Sequence, residues 1–323
     1  MATVIENRDL IERDPPLISG DDLFFMSQVP FLFLSALLQS SDKWPSAAKN
    51  ILRFADILRP QKDAPNLDEV ARSIGKTREI LSNAILVSRV GRIEHLIHSF
   101  NLLCRPAWRP TIEIEGKHNL DDALAEENGI VIWVSHFCFS SLFTKMGMSE
   151  TGYQVVHISR PEHGVSKSKL GTAFLNKIRT VTEDRFLAER IVHHRDHPQA
   201  TKLRAMNVLE NNGIVSITVG AWEGRRVVIA PLLKSTFQVA TGAPSLAYAS
   251  NAKLLPVFTT KTQSGTYRIK IGSPLGEQAR GDRDSFLKAA SEQLFEQQEP
   301  VIIKNSEQWR GWKDWMKLRT IES

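Results

Sequence analysis

The apolar run IVIWVS at residues 130–135 is the feature that most constrains how this chain folds. It is rich in β-branched residues, and such a run is typical of a strand that is covered on both faces. A helix-like segment, LDDALAEENG, comes before it and stops at Gly129, and a second helix-like segment, FSSLFTKMGM, follows. This order predicts an α/β protein with a buried sheet.

Strand-like and helix-like segments alternate along the rest of the chain after Thr111. We expect further strands at TIEIEG, YQVVHIS, GIVSITVG, LLPVFTT and TYRIKIG. Helical spacing predicts helices at 169–190, 198–211 and 284–297 and at APSLAYASNA. The spacing is that of an α/β fold, and we expect the last strands to be antiparallel.

The first hundred residues have a different pattern. Apolar residues recur three and four apart in AAKNILRFADIL, which stops before Pro60, and in the long segment 70–103, which stops before Pro106. No strand-like alternation is found before Thr111. We therefore predict an N-terminal helical region, residues 1–105, that is part of the same body as an α/β core at residues 106–323.

Residues 23–38, LFFMSQVPFLFLSALL, form the most apolar stretch of the chain. It is shorter than the roughly 20 apolar residues of a spanning helix, and Ser27, Gln28 and Pro30 interrupt it. Two interpretations remain open: a core helix, or a helix that lies in the membrane interface as a monotopic anchor.

Composition limits the classes of partner. Hydrophobic residues make up 42% of the chain and charged residues 24%, the mixture of an ordinary globular protein. The net charge of +5 suits a membrane surface or a phosphate-bearing thioester, whereas the absence of consecutive Lys/Arg blocks argues against a nucleic-acid partner. The charged residues at 6–14 are unlike a signal peptide, so we expect a cytoplasmic protein, either free or peripheral on the cytoplasmic membrane face.

Chemistry-bearing side chains follow three of the predicted strands. Ligands in such sheets bind beyond the carboxyl ends of the strands. Ser135 and His136 follow the first of these strands, Arg160 the second, and Glu223 and Arg225 the third. His136 can act as a general base, and an arginine such as Arg160 can hold a phosphate or an oxyanion. Taken alone, His136 is better explained as a histidine that is hydrogen-bonded at a helix start, and a surface ion pair explains Arg160 as well as a binding role does.

Five segments, in this order, resemble the lipid A biosynthesis acyltransferases, a family that includes lauroyl and myristoyl transferases and phosphatidylinositol mannoside acyltransferases. They are GIVIWVSHF (129–137), HISRP (157–161), NNGIVSI (211–217), VATGAPSLAYASNAKLLPVF (239–258) and EQWRGWKDW (307–315). The resemblance implies a mixed sheet flanked by helices, of the glycerol-phosphate-acyltransferase type, with an N-terminal helical region.

The resemblance also implies an activity. Such enzymes transfer a fatty acyl group from acyl carrier protein or coenzyme A to a hydroxyl of a glycolipid at the cytoplasmic membrane face. His136 matches the histidine that deprotonates the hydroxyl, and Arg160 matches the family arginine. Ser135 and Arg225 are further candidates for binding substrate, and the apolar helices from Leu23 onward would line an acyl groove. No cofactor and no metal ion is implied.

The sequence departs from the family at two positions. Just past the third strand, where the family tends to keep an acidic residue, this chain has Gly220, Ala221 and Trp222. Five residues after His136 stands Ser141, where the family has Asp or Glu that orients the imidazole. A serine can fix a tautomer, but it cannot stabilise an imidazolium by charge. Glu223 can supply that charge from a new position. Alternatively, the acceptor is an amine or thiol that is easier to deprotonate, or the protein has lost acyl transfer and only binds lipid or acyl thioester. We favour the first two explanations together.

Two further patterns have competing interpretations. Cys138, two residues after His136, could form an acyl-cysteine, but a small buried side chain is the interpretation we favour. Neither Cys104 nor Cys138 belongs to a Cys-x-x-Cys pair, which argues against a disulfide framework and a cysteine metal site. In HHRDHP (193–198) a solvated loop is favoured over a metal site.

Three tryptophans recur with helical spacing near the end of the chain, in WRGWKDW. Their spacing places them on one face of a helix. Core packing and an interfacial aromatic belt both remain open for the three: Trp309, Trp312 and Trp315.

Overall fold

The computed structural model of this chain describes residues 2–6, 14–60, 67–73, 75–194, 197–220 and 226–312. These residues form a helix-flanked sheet of seven strands and a separate sheet of three strands, together with an N-terminal group of helices. The fold is therefore the mixed α/β fold with an N-terminal helical region that the sequence predicts.

The large sheet has the order β2-β10-β9-β3-β6-β4-β5. Neighbouring strands from β9 to β5 are parallel, β10 is antiparallel to β9, and β2 is parallel to β10. The expectation of antiparallel strands near the end of the chain is thus confirmed. The strands are β2 (Ile112–Glu115), β3 (Ile130–Val134), β4 (Val155–Ser159), β5 (Glu189–Val192), β6 (Ile214–Thr218), β9 (Lys253–Lys261) and β10 (Tyr267–Ile271).

Strand β3 is covered on both faces, as its apolar run predicts. Val131 and Trp133 belong to one apolar cluster, and Ile130, Ile132 and Val134 belong to another on the opposite face. All five side chains are at most 3% exposed. Because a strand alternates its side chains between faces, only a two-sided cover accounts for five consecutive buried residues.

Helices connect the strands of this sheet. Those that lie between its strands include α5 (Lys117–Ala125), α6 (Ser140–Glu150), α9 (Pro198–Glu210) and α10 (Gly242–Ser250), and α11 (Arg283–Lys304) follows the last strand. Gly129 turns the chain from α5 into β3 with φ of 68°, and a Cβ atom there would lie 2.5 Å from the carbonyl oxygen of Leu209. The positive φ and the close backbone together require glycine at this turn.

Four helices precede the large sheet: α1 (Gly20–Leu38), α2 (Trp44–Leu58), α3 (Leu67–Ser73) and α4 (Arg78–Cys104). Ser19 caps α1 in a capping box with Asp22, whose carboxylate accepts a hydrogen bond from the Ser19 amide at 2.7 Å. Helix α4 connects this region to the sheet: Glu94 pairs with Lys261, and His98 Nε2 lies 2.6 Å from the Tyr267 hydroxyl.

The expectation that no strand comes before Thr111 is wrong. Strand β1 (Thr3–Glu6) pairs with β7 (Arg226–Leu232), and β7 pairs with β8 (Ser235–Ala240) in an antiparallel sheet of order β1-β7-β8. A strand of four residues has too few positions to show alternation, and its partner lies more than 200 residues further along the chain. Only the tertiary pairing defines it.

The single helix expected at 169–190 is also wrong. This segment contains α7 (Lys169–Phe174), α8 (Lys177–Asp184) and the first residues of β5. The side chain of Asn176 accepts hydrogen bonds from the Val165 and Ser166 amides at 2.7 and 2.9 Å, which fixes the junction between α7 and α8. Strand β5 is an edge strand of four residues that pairs only with β4, so its sequence carries little signal.

Trp309 and Trp312 are core residues, 2% and 4% exposed, with their rings in an edge contact at 4.7 Å. The Trp312 indole donates to the Ser306 carbonyl at 2.7 Å. Core packing is therefore the correct interpretation for these two, and Trp315 lies outside the described residues.

Candidate active site

His136 lies just beyond the carboxyl end of β3, in the turn that leads into α6. The preceding residue, Ser135, is fully buried, and its hydroxyl donates to the side-chain oxygen of Gln298 at 2.7 Å. Ser135 is therefore used in holding α11 against the strand end, and His136 is the first partly exposed residue after β3.

The last described segment of the chain fixes this turn from the other side. The Arg310 amide donates to the His136 carbonyl at 2.9 Å, and the Cys138 amide donates to the Gln308 carbonyl at 2.9 Å. Phe137 and Trp309 form an isolated antiparallel bridge between the same two segments. The backbone around His136 is thus held on both sides although it belongs to no helix or strand.

The imidazole of His136 is kept neutral by its surroundings. Burial lowers its pKa well below the ordinary 6.5, and the positive charges of Arg310, Arg179 and Arg92 lower that pKa further. Among the described residues, none makes a hydrogen bond to the imidazole ring. A neutral imidazole with an available nitrogen is the form that accepts a proton.

Ser141 lies in the first turn of α6, close to His136 in sequence but bonded elsewhere. Its hydroxyl accepts a hydrogen bond from the Arg179 guanidinium at 2.6 Å and lies 3.2 Å from His95 Nε2. No hydrogen bond joins Ser141 to His136 in the described part of the chain. The structure therefore brings Ser141 together with Arg179 and His95, two residues that sequence reasoning missed.

The remaining predicted residues are distributed as follows. Arg160 follows the carboxyl end of β4 and is exposed. Glu223 and Arg225 lie outside the described residues.

Cys138 is 3% exposed, its sulfur lies 3.3 Å from the Ser88 carbonyl, and burial raises the pKa of its thiol. These features favour the buried structural interpretation of Cys138, since a reactive cysteine needs a low pKa and access to solvent.

An open cavity of about 570 Å³ lies between the N-terminal helices and the turn after β3. Its apolar wall includes Phe24 of α1, Leu52 of α2, and Ile93 and Leu96 of α4. Its polar wall contains one carboxylate, Asp56, and five arginines: Arg59, Arg89, Arg92, Arg179 and Arg310. The three arginines that lower the pKa of His136 all belong to this wall. The cavity thus combines an apolar side with a strongly positive side next to the candidate base.

The arginines of this wall differ in how their charge is balanced. Arg89 pairs with Asp56, and Arg59 pairs with Asp21 on the surface. Arg179 contacts Ser141 and, at 3.4 Å, Glu183. Arg92 makes no ion pair and no hydrogen bond with a described residue. Part of the positive charge is therefore without a protein counter-ion in the described structure.

A buried carboxylate lies behind Arg179. Glu183 of α8 is completely buried and is contacted by four basic side chains: Lys145 at 2.6 Å, His163 at 2.8 Å, Arg190 at 3.0 Å and Arg179 at 3.4 Å. The hydrogen bond with His163 and the charges of Lys145 and Arg179 hold the pKa of Glu183 well below its usual range against the effect of burial. Burial lowers the pKa of Lys145 to about 8 and that of His163 to about 4.

Helix α1 presents much of its apolar surface to solvent. Leu23, Leu34 and Leu38 are 62%, 48% and 74% exposed. Two residues of α7, Leu170 and Phe174, are also exposed, and the Leu170 amide donates to the carbonyl of Leu17, just before α1. In the described chain, α1 is the one helix long and apolar enough to cross a membrane, and 33% of its most apolar window is buried. It is thus neither a fully buried core helix nor a fully exposed one.

The residues that sequence reasoning missed had a weak signal. Arg89, Arg92 and His95 recur every third residue along α4, and Arg179 and Glu183 are four apart on α8. Residues at these spacings share a helix face, so each set was visible as a polar stripe. The spacing does not indicate which face of a helix meets a cavity, and the prediction of α4 as a helix rests on its apolar residues.

Comparison with known proteins identifies the chain's relatives at the level of family. The model of the family described as bacterial lipid A biosynthesis acyltransferase matches residues 105–313. No individual curated protein was found to match the sequence. The match covers β2 to β10 and the turn with His136, and it begins after α4.

Proposed function

Because the chain belongs to the bacterial lipid A biosynthesis acyltransferase family, we propose that it transfers a fatty acyl group from an acyl thioester to a hydroxyl acceptor, with His136 as general base. The observation that carries this proposal is the neutral imidazole of His136, which lies beyond the carboxyl end of β3 beside an arginine-lined cavity. Coenzyme A and acyl carrier protein are the donors we propose, and no cofactor takes part.

The proposed reaction needs one proton acceptor and one site for negative charge. His136 takes the proton of the acceptor hydroxyl while the oxygen attacks the thioester carbonyl and a C–O bond forms. The carbonyl oxygen becomes an oxyanion. When the C–S bond breaks, the thiolate leaves and receives the proton from the imidazolium, so the products are the ester and a free thiol.

Positive charge around His136 has two opposite effects. It stabilises the oxyanion, because arginine donors aimed at developing negative charge act strongly in a partly desolvated site. It also disfavours the imidazolium, as the lowered pKa of His136 indicates. Binding of an anionic substrate group would compensate part of the arginine charge and raise the pKa of His136. We therefore propose that the base becomes effective only when a substrate has bound.

Orientation of the imidazole remains assigned to Glu223, with Ser141 as a secondary contributor. A histidine base needs an acceptor on its second nitrogen so that the correct tautomer faces the substrate. The hydroxyl of Ser141 bonds to Arg179 and lies near His95, which supports Glu223 as the stronger candidate. Arg160, Arg225 and Ser135 keep their proposed roles around the substrate, Ser135 through the position of the strand end.

A lipid acceptor would approach from the membrane. The exposed apolar face of α1, together with Leu170 and Phe174, supports peripheral contact with the cytoplasmic membrane surface. A second cavity of about 360 Å³ lies between α1 and α2 and is lined mainly by apolar side chains, including Phe31, Leu34 and Phe54. We propose that α1 and α2 hold the acyl chain while the thioester lies near His136.

A second candidate function is binding of a lipid or an acyl thioester without transfer. The observation that favours it is the arrangement at Ser141, where an arginine is bonded and no carboxylate contacts His136 in the described structure. An amine or thiol acceptor, which is easier to deprotonate, would allow transfer with this arrangement.

The test is release of free thiol from acyl-coenzyme A and acyl carrier protein donors, with and without a panel of hydroxyl, amine and thiol acceptors. Product masses identify the acylated acceptor. His136→Ala removes the base, and His118→Ala, an exposed histidine of α5, is the matched control. We expect acceptor-dependent thiol release in the protein and in His118→Ala, and a loss of roughly a hundredfold or more in His136→Ala.

The two candidate functions give different results in this assay. Donor binding that persists in His136→Ala while thiol release disappears supports the transferase. Donor that stays bound and unconsumed with every acceptor, in the protein and both variants alike, contradicts the transferase and leaves the binding function.

A further inference from the structure

Arg92 and His95 lie three residues apart on α4, and both line the cavity beside His136. Residues at this spacing share one face of a helix. This part of α4 precedes the region matched by the family model, which begins at residue 105. The two side chains belong to the N-terminal helices, and they bring a cation and a buried imidazole to the same wall.

Arg92 is a partly buried cation without a compensating charge. Burial lowers the pKa of its guanidinium, and the neighbouring charge of Arg89 lowers that pKa further. Arg89 itself pairs with Asp56, whereas Arg92 has no ion-pair or hydrogen-bond partner in the described part of the chain. A partly desolvated charge without a partner is unfavourable, so its position on a cavity wall favours an anionic ligand.

His95 is 4% exposed and has one satisfied and one unsatisfied nitrogen. The Ser141 oxygen accepts from Arg179, so its own hydrogen is available to His95 Nε2 at 3.2 Å. In this arrangement Nδ1 carries the proton of the neutral ring, because a neutral imidazole has one donor and one acceptor. Nδ1 has no partner in the described structure. A buried donor without an acceptor requires an explanation, and a ligand in the cavity provides one.

We infer that Arg92 and His95 form a subsite for a phosphate ester group, with Arg179 and Arg310 adding positive charge. The inference rests on the proposed acyl transfer and names the anion that this site recognises. Planar guanidinium groups match the oxygens of a phosphate, and a neutral N–H donor adds a further bond without adding charge. The phosphate ester belongs either to the thioester donor or to the headgroup of a phospholipid acceptor.

The subsite lies close enough to the base to influence it. Arg92, Arg179 and Arg310 each lower the pKa of His136. A phosphate ester bound among them would reduce that effect, so binding of the substrate anion and activation of His136 are coupled. The positive charge of the subsite thus explains why the pKa of His136 is low when no anion is bound.

The test is equilibrium binding by calorimetry with three probes: inorganic phosphate, coenzyme A and dihexanoyl phosphatidic acid below its micellar concentration. Arg92→Gln removes the charge, Arg92→Lys retains it, and Arg53→Gln changes an exposed arginine of α2 that does not line the cavity. Loss of a charge-assisted hydrogen bond weakens binding by roughly tenfold to a hundredfold. We expect that loss in Arg92→Gln, partial recovery in Arg92→Lys and no change in Arg53→Gln.

Thermal unfolding of the same variants separates a binding role from a structural one. Removing a cation without a partner should leave the melting temperature unchanged or raise it, whereas a structural role for Arg92 would lower it. A lowered melting temperature together with unchanged phosphate affinity overturns the inference.

The probes also distinguish the source of the phosphate. Dependence on Arg92 for coenzyme A alone assigns the subsite to the donor, and dependence for phosphatidic acid alone assigns it to the acceptor. If Arg92→Gln and the unmodified protein bind each of the three probes with equal affinity, the inference is overturned. Because the measurement needs no turnover, that result is distinct from a failure to find acyl transfer.

Discussion

Ser141 stands where the resemblance to the lipid A acyltransferases implies an acid, and its contacts indicate how the surrounding charges are arranged without that acid. Arg179 donates to the neutral hydroxyl at 2.6 Å and lies 3.4 Å from the buried Glu183 carboxylate. In this network the carboxylate nearest to Ser141 is therefore that of Glu183, which is reached through Arg179 and lies on α8 rather than on α6. His136 consequently has cations among its close neighbours, and its pKa is low in the free protein.

Replacement of Ser141 by alanine should destabilise the fold. The change removes the acceptor of the Arg179 hydrogen bond and the partner of His95 Nε2, and both groups are buried. Leaving a buried polar group unsatisfied costs about 1–3 kcal/mol. We expect a decrease of that size in the free energy of unfolding, measured by urea titration.

Ser149→Ala on the same helix is the matched control, because the Ser149 hydroxyl makes no hydrogen bond in the described structure. Equal stability of the two variants would show that the contacts of Ser141 do not contribute to folding.

At the scale of elements, α1 has one packed and one exposed apolar face. Leu32 and Ala36 are completely buried against the other N-terminal helices, whereas Leu23, Leu34 and Leu38 are exposed. A helix with one packed and one exposed apolar face is suited to lie on a membrane while attached to a folded body. Leu170 and Phe174 of α7 add exposed apolar side chains on a second helix, whose Leu170 amide donates to the Leu17 carbonyl just before α1.

Replacing the exposed leucines of α1 should weaken membrane binding. Transfer of a leucine side chain into an apolar phase is favourable by about 1.5–3 kcal/mol, so each Leu→Ser change at a fully inserted position should weaken vesicle binding by roughly tenfold or more. The positions are Leu23, Leu34 and Leu38. Co-sedimentation with anionic vesicles measures the effect.

Leu203→Ser on α9 controls for general surface hydrophobicity, since Leu203 is 70% exposed on another helix. Weakening by Leu203→Ser as large as that by the α1 changes would argue against a specific membrane face.

At the scale of the whole molecule, five histidines are held neutral in the interior. Burial lowers the pKa of each, to about 4 for His163 and well below 6.5 for three of the others. They lie on α4, β4 and the turns after β3 and β4: His95, His98, His136, His157 and His163. His95 lines the cavity and His136 is the candidate base, so the site and the fold depend partly on the same protonation states.

Stability should therefore decrease in mild acid. Above pH 6.5 these histidines are neutral in both the folded and the unfolded chain, and their contribution is fully present. As pH falls below 6.5 the unfolded chain binds protons that the folded chain does not, so unfolding becomes more favourable. For each histidine that the fold keeps neutral, the free energy of unfolding falls by up to roughly 1.4 kcal/mol per pH unit below pH 6.5. Urea titrations at pH 7.5 and 5.5 measure the loss.

His157→Asn should reduce this pH dependence, because asparagine does not titrate. Its side chain can still bond with Ser216, the partner of His157 Nδ1 at 3.2 Å. His118→Asn changes an exposed histidine and should leave the slope unaltered. A free energy of unfolding that is the same at both pH values would contradict the predicted protonation states.

The elements with long, regular patterns were predictable from sequence. The run 130–135 identified the central strand, helical spacing identified α2, α4, α9 and α11, and the alternation after Thr111 identified the strands around them. Strands β1, β5, β7 and β8 were missed, because an edge or partner strand is defined by its pairing rather than by its own residues.

The candidate site divides in the same way. Sequence by itself determined that His136 follows the central strand, because a strand end is a local feature and the motif is continuous. Tertiary structure alone decided that Arg92 and His95 of α4 and Arg179 of α8 face one cavity beside it. Their charges act on His136 through space, and the packing of helices far apart in the chain sets those distances. Local spacing determines which face of a helix a residue occupies, but only packing determines what that face meets.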